Sequence, residues 1–411
     1  MADKVSDNVG NKINKIIDED KYIAAFLLYG LGDTIGFKNG EWEFNYYQKT
    51  ITLNMTTELL YDFISLGGIN DINLNGWYVS DDTIINLAMA KGLLESKYDI
   101  YKIITTNKPN KPNKPNKADK LNNSNKTNKS NDIIHNVEQE IIIAFNEMLK
   151  DKDKGKDRYF GVTTWKYVKL INKGKDGRTL PYDKMSGGNG AAMRAGPIGL
   201  VYYGEKNRNL LIKYAIELSR ITHNSAYGYL GGLTMALFTS FVIEHINIKK
   251  WPFLLVNLLN SQDVKQYIKK DVDEEDDYEK FTNYWIKYID TRFDDKEPIM
   301  SRSHKNLIFR SRYYYENFTR DTESFLIGES GFCAMIMVYD ALLDSGNIWE
   351  KLVIYAGLHL GDSDTTCAMA AFLYGLMYGL NDVPEKNLEY LEFKDELIDV
   401  GKKMYNEFYK H

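Results

Sequence analysis

The stretch HLGDSDTTCAMAAFLYGLMYGL, His359–Leu380, sets two carboxylates, Asp362 and Asp364, directly before a long apolar run. From Thr365 to Leu380 the run is short for a membrane span and rich in Gly and Ala, so it reads as a buried helix. A second stretch, VSDDTIINLAMA at Val79–Ala90, has the same design: Ser80, Asp81, Asp82 and Thr83 stand before Ile84, Ile85, Leu87, Ala88 and Ala90. Ser, Asp and Thr are favoured helix N-caps, and acids suit the positive end of the helix dipole, so either stretch alone is explained by capping. One cap, however, uses only one such residue. If the two helix starts converge, adjacent carboxylates about 4 Å apart repel by on the order of 4 kcal/mol at an effective dielectric of ~20, a penalty that divalent cations remove. All the candidate ligands are oxygens, with no His or Cys cluster beside them, which favours Mg²⁺ or Mn²⁺ over Zn²⁺.

The rest of the chain sets the frame. Its 411 residues, 44% hydrophobic, suffice for a large core. Of eight prolines, three (Pro109, Pro112 and Pro115) lie in one low-complexity tract, which leaves five for everything else and favours long helices. A net charge of −5 gives no general electrostatic footprint for nucleic acid. Two cysteines, Cys333 and Cys367, both in apolar surroundings, cannot form a disulfide framework and fit a reducing compartment. The first twenty residues are polar and mixed in charge, without the apolar core of a signal peptide. The expectation is a soluble cytoplasmic monomer with neither a nucleic-acid nor a membrane partner.

Taken in order, Lys21–Phe37 reads as a buried helix whose Gly30, Gly32 and Gly36 let another backbone come close. Asp33 among them is either a satisfied buried polar group or a site residue. NGEWEF (39–44) carries Glu41 and Glu43 near a turn signal, and KTITLNM (49–55) is a possible short strand. The tract from Thr105 to Asn131 has almost no apolar residues, so it reads as a disordered insertion that cannot repay the entropy of ordering. Helical spacing resumes over Ile133–Leu149. RYFG (158–161) follows in a Gly- and Lys-rich loop, and then SGGNGAAMRAGPIGL (186–200). There the glycines around Asn189, leading into an Ala-rich helix, would let backbone N–H groups and a helix N-terminus face an anion, although such a turn is more often a plain connector.

Leu210–Thr222 is amphipathic, and His223 and Asn224 open a buried helix. His223 is a cap, a core hydrogen-bonder or a ligand contact. The acidic run at 271–281 reads as a solvated helix start rather than an EF-hand loop, and the basic-aromatic cluster RSRYYYENF (310–318) is poor grounds for nucleic-acid binding. Two further buried helices, Ala334–Leu343 and Ile348–Leu358, lead to Asp362. With about ten helical segments, little strand and no repeat, the chain reads as one compact all-α domain of orthogonally packed helices. The domain spans 21–411, is preceded by a polar tail at 1–20 and is interrupted at 105–132.

Five ordered motifs, GLGDTIG (30–36), SDDT (80–83), GNGAAMR (188–194), THNSAYGYLGG (222–232) and GDSDTT (361–366), together resemble the ADP-ribosylglycohydrolases, the dinitrogenase-reductase-activating glycohydrolase superfamily. NGEWEF, SRITHNSAYGYLGGLTMALF and YDALLDSGNIWEKL are most similar to the ADP-ribosylarginine hydrolases. The resemblance implies an all-α fold and two Mg²⁺ (or Mn²⁺) ions held by Ser80, Asp81, Asp82, Asp362, Asp364 and Thr365. It implies that Asp81 or Asp82 acts as the catalytic base, adjacency alone not separating them. Ser186, Gly187, Gly188, Asn189, Gly190 and His223 would hold the diphosphate and its sugar, with Gly161 near the adenosine side. The implied activity is hydrolysis of the bond between ADP-ribose and arginine, on an ADP-ribosylated protein or a small ADP-ribosyl substrate. The alternatives are serine-linked ADP-ribose or O-acetyl-ADP-ribose as substrate, or a non-catalytic binding or structural relative, which loss of the acidic motifs would mark. All four aspartates are present. The chain departs from the arginine hydrolases at Phe332 and Cys333, where they usually have His-Asp, and its Glu41 and Glu43 are displaced, Glu43 being the one that fits the arginine-specific pattern.

Overall fold

A computed structural model describes residues 17–44, 52–106, 133–155, 157–175, 179–268, 271–300, 307–319 and 326–410. In chain order the helices are α1 (Glu19–Phe37), α2 (Leu53–Ser65), α3 (Asp81–Glu95), α4 (Lys97–Thr106), α5 (Ile133–Lys150), α6 (Val162–Asn172), α7 (Gly196–Val201), α8 (Arg208–Arg220) and α9 (Ala226–Ile243). They continue as α10 (Trp251–Leu259), α11 (Gln262–Lys265), α12 (Val272–Arg292), α13 (Leu307–Phe318), α14 (Gly331–Ser345), α15 (Trp349–Gly357), α16 (Ser363–Tyr378) and α17 (Lys394–Phe408). Among the described residues the only sheet is a two-residue hairpin, β1 (Phe293–Asp294) against β2 (Glu297–Pro298). The fold is all-α.

Helices α1, α9 and α16 are apolar on every side, so they fill the centre while more amphipathic helices surround them. Helix α9 is long and apolar enough to cross a membrane, yet it is wholly buried among its neighbours. α1 and α16 run antiparallel at backbone contact. A Cβ at Gly36 would lie 2.3 Å from the Ser363 carbonyl oxygen, and one at Gly375 would lie 2.6 Å from Ala24. The Ser363 hydroxyl donates to the Gly36 carbonyl at 2.7 Å, which fixes the start of α16 beside the end of α1.

Several sequence expectations are corrected. Thr52 is a helix N-cap, its hydroxyl accepting from the Met55 N–H at 3.4 Å, so Leu53–Met55 open α2 rather than a strand; 49–51 lie outside the described residues. The acidic start of α12 is only partly solvated. Glu274 is buried and pairs with Arg220 and Tyr229, and buried Asp277 accepts from the Tyr182 hydroxyl at 2.6 Å. After the Gly-rich turn comes a 3₁₀ turn at Asn189–Ala191 and then the short α7, not a long Ala-rich helix. The expected disordered tract lies outside the described residues beyond Thr106, as do residues 1–16 of the expected tail.

Arg310, from the basic-aromatic cluster, is a core residue. It and Arg292 both pair with Asp340 and Asp344 at 2.7–2.8 Å, joined by the Tyr288 and Tyr314 hydroxyls on Asp340 at 2.6 Å. This buried network ties α12, α13 and α14 together.

Candidate functional site

Ser80 has extended backbone geometry and caps α3, its hydroxyl accepting from the Asp82 N–H at 3.1 Å. Asp33, reaching across from α1, accepts from the N–H groups of Ser80 (3.0 Å) and Thr83 (3.1 Å) and from the Thr83 hydroxyl (2.5 Å). Asp33 is thus a satisfied buried acid that helps to cap α3. Capping is complete without Asp81 and Asp82, whose carboxylates are left for another task. At the start of α16, His359 accepts the Gly361 N–H on Nδ1 at 3.1 Å and directs Nε2 to the Ala356 carbonyl and the Thr366 hydroxyl at 2.9 and 2.7 Å. Those partners require the neutral Nε2–H form, and burial pushes His359 down to about 4. The imidazole braces the turn that presents Asp362 and Asp364.

The two acidic helix starts meet. Carboxylate oxygens of Glu43, Asp362 and Asp364 lie within 4.8 Å of one another. The Ser80 hydroxyl is in hydrogen-bonding reach of Asp364, and Asn189 donates its amide to Asp362 at 2.8 Å. Burial, then the neighbouring Asp364 charge, holds Asp81, Asp82 and Glu43 well above the usual carboxylate range. Burial, then Asp362, does the same to Asp364, while burial pushes Asp362 up to about 6 and Asp33 to about 7. None of these six acids pairs with a basic side chain among the described residues. Asp82 Oδ2, Asp362 Oδ1 and Glu43 Oε2 are buried with no hydrogen-bond partner there. Orphaned oxygens and massed like charge are costly, and a hard divalent cation satisfies both, so the residues present fit such an ion.

Glu43 was not among the residues expected to hold metal. The residues around it anchor it in place: the Phe44 N–H donates to the Gly361 carbonyl at 2.8 Å, and the Trp42 indole donates to Asp62 at 2.7 Å. In the sequence it is marked only by its place in NGEWEF, shortly after the Gly-rich helix, and not by any acidic helix-start motif.

A cavity of about 310 Å³ opens over these carboxylates. Of the expected residues, Asp81, Asp82, Gly161, Gly188, Asn189, Gly190, His223, Asp362, Asp364 and Thr365 line it. Ser80, Ser186 and Gly187 do not. Ser80 supports from beneath, Ser186 donates to Asp183 at 2.9 Å, and Gly187 packs against Tyr227 while its carbonyl accepts from Gly331. The Asn189 N–H is committed to the Glu329 carbonyl at 2.9 Å, and its side chain bridges Gly328 and Asp362, so Asn189 is a strut rather than an anion donor. A Cβ at Gly190 would lie 2.6 Å from the His223 ring, so glycine lets the imidazole close that wall. Burial, then Arg194, holds His223 well below its ordinary range and keeps it neutral.

Tyr159, Phe160, Leu326 and Glu329 also line the cavity and were not anticipated individually. Phe332 and Cys333 stay out of it; both are buried, and Phe332 stacks on Tyr284 at 4.0 Å. A larger hollow of about 740 Å³ between the start of α1 and the end of α16 contains none of the expected site residues.

A family model described as ADP-ribosylglycohydrolase matches residues 14–411. The chain is 34% identical over 374 residues to a putative ADP-ribosyl glycohydrolase of Acanthamoeba polyphaga mimivirus, covering 89% of this chain and 66% of that protein, just under two thirds of its length. It is 28% identical to ADP-ribosylhydrolase ARH1 of Dictyostelium discoideum, over 98% of this chain and 97% of that one. Against ADP-ribosylhydrolase ARH3 of Danio rerio the identity is 25%, over 53% and 57% of the two chains. A solved structure titled ADP-ribosylglycohydrolase-related protein complex superposes with a TM-score of 0.50 at 15% identity, covering 94% of this chain and 98% of that one, a likeness of fold.

Proposed function

Because the chain belongs to the ADP-ribosylglycohydrolase family, we propose that it hydrolyses the N-glycosidic bond between ADP-ribose and arginine in ADP-ribosylated substrates. The observation that carries this reading is the convergence of six buried carboxylates, three with orphaned oxygens, beneath a cavity walled by a Gly-rich turn and a neutral histidine. The arginine assignment rests on the NGEWEF, SRITHNSAYGYLGG and YDALLDSGNIWEKL resemblances. It suits a cavity with acids and no lysine or arginine among its described lining residues.

Asp81, Asp82, Asp362, Asp364 and Thr365, supported by Ser80 and joined by Glu43, would hold two Mg²⁺ or Mn²⁺ ions. When bound, the ions supply Lewis acidity and a template for the ribose hydroxyls. The chain's own groups do the remainder. Cleavage builds oxocarbenium character at C1″ and needs a water on the face opposite the leaving group. Asp82, whose Oδ2 carries no hydrogen bond, is freer to take that water's proton than Asp81, which is tied to the Gly161 N–H. As the C1″–N bond breaks and the O–C1″ bond forms, the proton passes to the departing guanidine nitrogen. Gly188, Gly190 and His223 orient the diphosphate-bearing half of the substrate, and Gly161 and Tyr159 wall its adenosine end.

The test is release of ADP-ribose from arginine-linked and serine-linked peptides with Mg²⁺, using EDTA as control. Turnover of the arginine substrate that EDTA abolishes is the expected result. Turnover of the serine substrate alone would reject the arginine assignment, and no metal-dependent turnover of either would reject the enzyme.

A further inference from the structure

The residue just before the first acidic motif is gripped from both sides by a pair lying far away in sequence. Val79 donates its N–H to Glu392 Oε2 at 3.1 Å, and its carbonyl accepts from Arg158 Nη1 at 2.6 Å. The same guanidinium meets Glu392 two-pronged, Nη1 to Oε2 at 3.1 Å and Nη2 to Oε1 at 2.8 Å. Arg158 then returns to the motif through its own backbone, its carbonyl accepting the Asp81 N–H at 3.1 Å. Five hydrogen bonds thus close a ring around Val79, Ser80 and Asp81, drawn from three segments. Arg158 is 3% exposed, and its guanidinium also stacks over Tyr78 and Phe393. A two-pronged pair in such surroundings is strong and directional, unlike a solvated ion pair.

We infer that Glu392, from the loop before α17 and outside the cavity, is a positioning residue: through Arg158 it sets where α3 presents Asp81 and Asp82 to the cations. The reason is geometric. The Val79 side chain is buried and the flanking Tyr78 and Ser80 N–H groups are held by Asn39 and Asp33, while both backbone hydrogen bonds of Val79 itself go to this pair. Residue 158 also begins the turn that carries Tyr159, Phe160 and Gly161 into the cavity wall. Removing the Glu392 carboxylate leaves the buried guanidinium only the Asp151 carboxylate, 3.9 Å away, as counter-charge, so it is drawn off toward Asp151 and takes the Val79 carbonyl and the Asp81 N–H with it. Groups that orient ligands from behind commonly contribute about 10–100-fold to metal affinity.

This inference rests on the proposed cation site, and the experiment separates the two. Mn²⁺ is titrated into full-length, metal-stripped wild type, Glu392→Ala, Glu392→Gln and Arg158→Lys, followed by electron paramagnetic resonance, with thermal unfolding alongside. A control is Glu244→Gln, which weakens the Arg208–Glu244 pair, in which one guanidinium nitrogen donates to both carboxylate oxygens, at the other end of α9 from His223, about 27 Å of helix away. The expected result is Mn²⁺ affinity lowered at least tenfold in Glu392→Ala and Arg158→Lys, less in Glu392→Gln, which keeps an acceptor for the Val79 N–H. The control should lose thermal stability with wild-type Mn²⁺ affinity. Wild-type affinity in all three clamp variants overturns the inference alone, as does an equal loss of affinity in the control. If wild type itself binds no Mn²⁺, the cation site and this inference fall together. Should Glu392→Ala not fold, Glu392→Gln and Arg158→Lys carry the decision.

Discussion

Four aspartates exceed what two helix starts require, and the side chains around them show why the excess stands. Ser80, Asp33 and the Arg158 carbonyl already satisfy the N–H groups that open α3, so Asp81 and Asp82 contribute nothing to capping that would offset their repulsion. Acids held at such cost are candidates for a functional role. Asp81→Asn and Asp364→Asn should each lower hydrolysis about 100-fold or more, the scale of a lost proton acceptor or cation ligand. Because each change removes a buried charge, both metal-free variants should unfold at or above the wild-type temperature; near-normal turnover in either would count against the cation site. The aspartates were legible because their number outran their local use. Glu43 was harder to read: it sits in a turn without periodicity, and only the Trp42 and Phe44 anchors bring it to Asp362.

Between elements, the decisive contact is α1 against α16. Helices this apolar could pack in many registers, and small residues select one by allowing backbone contact. Gly36→Ala drives a methyl group toward the Ser363 carbonyl from 2.3 Å, so it should destabilise by about 1–3 kcal/mol and weaken cation binding, because the displaced group is the first residue of α16. Calorimetry with and without Mn²⁺ checks both effects. The Arg292–Arg310–Asp340–Asp344 network plays the corresponding part among α12, α13 and α14. Asp340→Ala leaves two buried guanidiniums short of a partner and should cost about 3–5 kcal/mol, read as a lower denaturant midpoint. Helix positions were largely legible, since apolar spacing is a local property. The strand expectation failed over 52–55 because a run of β-branched residues looks alike in sequence whether Thr52 extends a strand or caps a helix. The solvated reading of the 271–281 run failed at Glu274 and Asp277 because Arg220 and Tyr182, remote in sequence, accompany them into the interior.

At the scale of the molecule, the acidic site should couple stability to pH and to cations. Asp362 and Asp33 have folded-state values raised to about 6 and about 7, above the ordinary carboxylate value of 3.8. A raised acid binds its proton more tightly in the folded state, so its contribution is full below about pH 4 and is lost as pH climbs through about 6 to 7. Metal-stripped protein should therefore lose this contribution between about pH 4 and pH 7, and added Mg²⁺ should raise the unfolding temperature more at pH 8 than at pH 5. A cation-induced shift that is flat or falling with pH would contradict this. What the sequence determined by itself was local: which segments are helices, that they are buried, and that two of them begin with more acid than a cap can use, because propensity, periodicity and capping act within a few residues. Only the tertiary structure decided which distant groups share the site, that Glu43 enters it and Phe332 does not, that the Asn189 amide bridges Gly328 and Asp362, and that Glu392 grips the approach to Asp81. Those outcomes depend on contacts between residues up to hundreds of positions apart, which no local pattern encodes.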